Sequence, residues 1–203
     1  MKFLIVTHLI HKRNENQIIG GYAPYVKEMN LWLKYADECS IVAPINNAAF
    51  TEIDQPYSDS KKISFQEIPA INFLSLRSAL LAVVQVPYML IKIGLAMSKA
   101  DHIHLRCPGN IGLLGSVMQL LFPFKKKTAK YAGNWDPNAQ QPWSYRLQKK
   151  ILQSRFTQNM KVLVYGEWPD HNLNVLPFFT ASYSASEIES IHRPQQEIIR
   201  MVF

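Results

Sequence analysis

Four short segments carry the side chains that could do chemistry. Arg106 follows the strand-like run Asp101-His-Ile-His-Leu105. An arginine just past the carboxyl end of a strand can clamp phosphate or carboxylate through two parallel N–H bonds, or cap its own loop. Gly133-Asn134-Trp135-Asp136 follows the strand-like Lys127–Ala132. It offers an amide, an aromatic face on which sugar C–H surface stacks, and a carboxylate. Gly166-Glu167-Trp168-Pro169-Asp170 follows Val162–Tyr165 in the same manner. Gly20-Gly21 stands between the first apolar run and the first helical pattern. Glycines there let backbone approach a ligand, and a following helix N-terminus stabilises phosphate; a plain turn uses the same pair. The pair is neither G-x-G-x-x-G nor a Walker A loop, which disfavours dehydrogenase and P-loop readings.

Other chemistries find less support. His8, His11, His102 and His104 form no H-E-x-x-H motif, and no cysteine pair has ligand spacing, so no metal is expected. His102 and His104 share one strand face and read as core histidines held by hydrogen bonds. No G-x-S-x-G elbow and no RNA-recognition signature occur, so a hydrolase of that type and a nucleic-acid partner are not expected. Cys39 and Cys107 are too few for a disulfide scaffold and read as reduced cytosolic thiols.

The elements that must position these residues follow from periodicity. Phe3–Val6 is apolar throughout, as a strand buried on both faces requires, and too short for a secretion signal. Tyr22, Tyr25, Val26, Met29, Trp32, Leu33 and Ala36 trace one helical face, with Pro24 in the first turn. Ser40–Ala43 and Ile63–Ile68 are the next strands, and His11–Gln17 reads as a polar loop. Leu74–Met97 and Ile111–Phe122 are apolar helices, read as core helices rather than membrane spans. Ser144–Phe156 is a helix with Ser144 as its cap, Phe178–Ser182 a strand, and Ser186–Ile191 a short helix. Strands alternating with helices predict an α/β Rossmann-like parallel sheet covered on both faces. With 48% hydrophobic and 18% charged residues, 203 residues can bury such a core. Residues 1–192 read as this domain. Residues 193–203 read as a linker and the first strand of a second domain that is otherwise missing from the chain.

In order, Lys2–Thr7, Ile18-Ile-Gly-Gly-Tyr22 with its helix, Cys39–Pro44, Ala100–Pro108, Lys130–Pro137 and Ala181–Ile191 resemble the N-terminal domain of GT-B glycosyltransferases of the family-four type. The resemblance implies an acceptor-side domain of an enzyme moving sugar from a nucleotide-sugar donor to a saccharide or lipid-linked acceptor. It implies that Gly20 and Gly21 lie near the donor diphosphate. Arg106, Trp135, Glu167 and Trp168 become acceptor-binding candidates. The family's frequent histidine after the fifth strand is absent here; either Asp136 or Asn134 serves instead as the catalytic candidate, or this branch manages without one. No cofactor is implied, and the complete two-domain protein would be the active transferase. A nucleotide-sugar epimerase of similar build and a stand-alone carbohydrate- or nucleotide-binding module are the rival readings.

The net charge of +7 is uneven: twelve cations between Lys92 and Lys161 face only Asp101 and Asp136. Lys125, Lys126, Lys127, Arg146, Lys149, Lys150 and Arg155, with Phe122 and Phe124 nearby, suggest peripheral contact with the cytoplasmic membrane face; a solvated basic surface explains them equally.

Overall fold

The computed structural model describes residues 1–71, 76–168 and 173–179. In chain order the elements are β1 (Lys2–Val6), β2 (His11–Arg13), β3 (Ile19–Tyr22), α1 (Ala23–Leu33), β4 (Glu38–Ala43), β5 (Ile45–Asn47), β6 (Asp54–Pro56), β7 (Ile63–Glu67), α2 (Leu76–Lys99), β8 (His102–Cys107), α3 (Asn110–Met118), β9 (Lys126–Tyr131), α4 (Trp143–Leu152), β10 (Met160–Val164) and β11 (Val175–Pro177). Seven of the strands form a parallel sheet in the order β11-β10-β9-β8-β1-β4-β7.

Alternation along β1 explains the two-sided core. Leu4 and Val6 join one buried cluster with Met89, Ile93, Ile103 and Leu105. Phe3 and Ile5 join another with Tyr25, Val26 and Met29 of α1. Each such side chain contributes about 1.5–3 kcal/mol by leaving water, and β1, buried on both faces, anchors both layers. The chain winds outward from β1 through β4 and β7, then returns through α2 to β8 on the other side. The gap between the carboxyl ends of β1 and β8 is therefore the topological switch point, where open α/β sheets bind ligands.

Three features differ from the sequence reading. The segment read as a polar loop after β1 contains β2. With β3, β5 and β6 it builds a second, four-stranded sheet in the order β5-β2-β3-β6. Its strands are three or four residues long, too short for alternation to announce them. Helix α4 begins at Trp143 with Pro142, not Ser144, at the cap position, and no side-chain cap bond is made. The last described strand is Val175–Pro177 rather than one beginning at Phe178. Pro169, Asp170, the 186–191 helix and the boundary at 192 lie outside the described residues.

Helix α2 is only half a core helix. Met89, Ile93, Ala96 and Met97 face the sheet and are buried, yet only 28% of Leu81–Lys99 is buried in all. That stretch is long and apolar enough to cross a membrane by length and composition.

Candidate functional site

Strands β8 and β9 present a polar row on the face covered by α1. Their register places His104 beside Thr128 and Arg106 beside Lys130. Residues at every second position share a face, so the row runs from the amino to the carboxyl end of the sheet. At the amino end Thr128 Oγ1 lies 3.0 Å from His102 Nε2 and 2.8 Å from His104 Nδ1. Phe3 and Trp32 pack on both imidazoles. Burial holds His104 at about 3, with the charges of Arg106, His102 and Lys130 adding to the effect, so the ring is neutral.

At the carboxyl end the row is charged. Lys130 Nζ donates to Glu28 Oε2 at 2.6 Å, and Arg106 Nη1 donates to the same oxygen at 3.4 Å. Glu28 reaches in from the second turn of α1 and is buried, as is Lys130. The Arg106 guanidinium lies 5.5 Å from the centre of the Tyr25 ring, and Lys130 Nζ lies 5.4 Å from Tyr165 and 5.0 Å from Phe178. Among the described residues Glu28 Oε1 has no hydrogen-bond partner although it is buried. A buried carboxylate oxygen without a donor is costly, and the position suits an ordered water; Tyr25 Oη and His104 Nε2 are likewise buried without a partner among the described residues.

The switch point adds His8 from the end of β1 and the loop 108–110 from the end of β8. Gly109 has φ +152°, and a Cβ there would stand 2.7 Å from His8 Nδ1. Glycine is thus required both by the backbone and by the imidazole against it. Partial desolvation, and then the Arg106 charge, hold His8 below its ordinary pKa and leave it a neutral hydrogen-bonding group at pH 7. Helix α3 begins at Asn110 with no side-chain cap, so its first-turn amides face the same edge. The arrangement offers Arg106 on the α1 side of the strand ends and uncapped α3 amides after β8, each able to meet an anion.

The residues singled out from sequence fall around this crevice unevenly. Arg106 is at its centre. Gly20 and Gly21 lie within β3, not in a loop opening a helix; a side chain at Gly20 would strike the Gln55 carbonyl of β6. A Cβ at Gly21 would make ordinary contact with Leu9 at 3.4 Å, in the segment that follows β1. Helix α1 starts two residues later, and the Ala23 amide is already bonded to Ile53 O at 2.8 Å. Asn134 Oδ1 and Asp136 Oδ1 each accept a backbone amide two residues on, from Asp136 and Asn138, at 2.8 Å. Both side chains therefore shape their own turn. Trp135 is buried, edge-on to Tyr131, with Lys149 Nζ 5.4 Å from its ring centre, so a sugar would stack there only after Lys149 moved. Trp168 folds back and donates to Tyr165 O at 2.9 Å, while Glu167 is exposed.

Glu28, Lys130, His8 and Gly109 were not singled out for this site. A carboxylate at position 28, three residues after buried Tyr25 on the apolar face of α1, was the available signal. A lysine inside a strand buried along five of its six residues was another.

The strand order and flanking helices define a doubly wound, Rossmann-like α/β domain. No family model matches the chain, and no curated protein matches it. Among solved structures, UDP-N-acetylglucosamine 2-epimerase is similar over 74% of this chain, with 12% identity and a TM-score of 0.42. The chain spans 38% of that protein's length.

Proposed function

We propose that this chain is the acceptor-side domain of a glycosyltransferase that moves a sugar from a nucleotide-sugar to a saccharide or lipid-linked acceptor at the cytoplasmic face of a membrane or in the cytoplasm. The observation that carries the reading is Arg106 at the switch point, bonded to Glu28 of α1. Arg106 holds an anionic group of a substrate, and Glu28 Oε1 orients an acceptor hydroxyl once a side chain covering it moves. Glu28 takes this role in preference to Asp136 or Asn134, whose oxygens already accept backbone amides. Gly20 and Gly21 keep the small sheet thin next to the segment following β1, where the donor diphosphate is proposed to approach. Activity belongs to a two-domain protein, with neither metal nor cofactor.

The test is product analysis after incubating the full-length protein with labelled nucleotide-sugars and candidate acceptors. A new glycosidic product supports the proposal. An epimerised nucleotide-sugar with no acceptor product would reassign the site to epimerisation, and binding without turnover would make the chain a recognition module.

A further inference from the structure

We infer that the outer face of α2 is a docking surface for an anionic lipid bilayer. Leu81, Val84, Tyr88, Ile91 and Leu95 recur at alternating spacings of three and four, which puts them in one stripe along the helix. Each is exposed, between 47% and 75%. The stripe is about 21 Å long at the rise of an α-helix. Exposed Leu121 and Phe124 stand at its C-terminal end, where Lys125 Nζ donates to Ser98 O at 2.8 Å. Scattered exposed leucines are ordinary on a protein surface, but a continuous apolar stripe of this length is not.

Charge identifies the occupant. Lys92 and Lys99 belong to α2 itself, Lys125 is bonded at its C-terminal end, and α2 contains no Asp or Glu. Between Glu67 and Asp136 the single acidic residue is Asp101, whose carboxylate is turned to the Lys2 amide of β1 at 2.7 Å. A second copy of the chain would set lysine against lysine around the same stripe. An anionic lipid surface instead complements the lysines and receives the apolar side chains between them. Lys92 Nζ lies 5.0 Å from the Tyr88 ring centre and donates to Glu67 O at 3.0 Å, which fixes its charge at the edge of the stripe. Because Met89, Ile93 and Met97 are locked into the core, the helix lies in the plane of the bilayer surface and does not cross it.

This surface differs from the one suggested by the lysine run in the sequence. Lys127 is buried and bonded to Gln119 Oε1 at 2.8 Å, and Lys149 is half-buried near Trp135. The inference is independent of the proposed chemistry, since the stripe lies on the outer face of a helix and the crevice on the strand ends.

Co-sedimentation of the 203-residue protein with vesicles of phosphatidylglycerol and phosphatidylcholine, against phosphatidylcholine alone, tests it. Binding is expected only with the anionic lipid and is expected to weaken as salt rises. Ile91→Glu with Leu95→Glu, and separately Lys99→Glu, are each expected to weaken binding at least about tenfold. All three positions are exposed, and circular dichroism checks that the variants fold. A fluorophore sensitive to polarity on Val84→Cys gives a second readout in an otherwise native chain, because Cys39 and Cys107 are buried. Its emission should shift to the blue on anionic vesicles. No binding at low salt, binding untouched by the Glu variants, or no blue shift would overturn the inference. A dimer in solution that Ile91→Glu dissociates, with no vesicle binding, would assign the face to a second copy instead.

Discussion

The two ends of the polar row on β8 and β9 share a strand pair, a register and a covering helix, yet they are built on opposite principles. At the amino end the polar groups are neutral. His102 and His104 meet one threonine hydroxyl and are packed by Phe3 and Trp32. At the carboxyl end Arg106 and Lys130 converge on one oxygen of Glu28 and leave its other oxygen without a donor. Buried polar groups inside a sheet can be tolerated by neutralising them or by pairing charges, and pairing is the more demanding route. The demanding route occurs at the edge where parallel sheets bind ligands. The difference separates a neutral cluster within the sheet from a charged one at its carboxyl edge.

Breaking the charged end should have the largest effect on stability. Glu28→Leu leaves Lys130 without the carboxylate it now meets at 2.6 Å in a buried setting, and is expected to cost about 3–5 kcal/mol. Glu28→Leu with Lys130→Met should recover much of that loss. Urea unfolding of the three proteins measures both. A single-variant loss below about 1 kcal/mol would mean that the pair is solvated and the contrast with the histidine end is false.

The neutral end should reveal itself through pH. Folded His104 titrates at about 3, whereas an unfolded histidine titrates near 6.5. The unfolded chain therefore binds the proton first as pH falls. Stability from this residue is fully present above pH 6.5 and is lost between 6.5 and about 3. The slope is about 1.4 kcal/mol per pH unit for one such group. His11, buried and lowered to about 4, acts in the same direction. Comparing native protein with His104→Phe at pH 6.5 and 4.5 should show a difference of about 2.5 kcal/mol in acid sensitivity. Parallel pH profiles would show that His104 is already charged in the fold.

The parallel sheet was readable because β1, β4 and β10 carry apolar runs, β8 alternates polar with apolar residues, and helical periods separate them. The small sheet was not, because β2 reads His-Lys-Arg and its pairing with β5 depends on residues over thirty positions away. The same limit applies to the site. Arg106 was legible from its place after a strand, but its partner Glu28 lies 78 residues earlier, on a helix whose period marks it only as an interruption. Trp135 illustrates the reverse. Its type and position read as a platform, while packing against Tyr131 and Lys149 decides that its face is covered. Outward and inward residues of α2 look alike in a run so uniformly apolar, so its exposed stripe became visible only in the fold.

The glycines of β3 offer a smaller test of the same division between fold and ligand. Gly20→Ala is expected to cost about 1–3 kcal/mol, because the added methyl meets the Gln55 backbone, which cannot turn aside as a side chain can. Gly21→Ala should cost less than about 1 kcal/mol, since its neighbours stand at ordinary distance. If the proposed transferase activity holds, Gly21→Val should lower turnover more than it lowers the thermal midpoint. Unchanged turnover would remove β3 from the substrate path.

The smallest expected effect on stability, and the sharpest division between the two ends, belongs to Arg106→Leu. The guanidinium is partly open to solvent, with 18% of its side chain exposed, and its bond to Glu28 is long at 3.4 Å. Glu28 keeps Lys130, so the loss should be within about 1 kcal/mol. If Arg106 instead holds an anionic group of the substrate, losing a charge-assisted bond of roughly 1.5–3 kcal/mol lowers kcat/KM by about ten- to a hundredfold. A readout independent of turnover comes from His8, whose pKa is lowered by desolvation and then by the Arg106 charge. Removing the charge should raise that pKa toward 6.5, observable in the imidazole NMR titration, while the titration of a surface variant such as Lys150→Leu stays where it was. A His8 titration that does not move would place Arg106 away from the end of β1 and dissolve the crevice as a single site. A normal shift with unchanged kcat/KM would keep the geometry and leave Arg106 a structural residue, like the histidines at the other end of its strand.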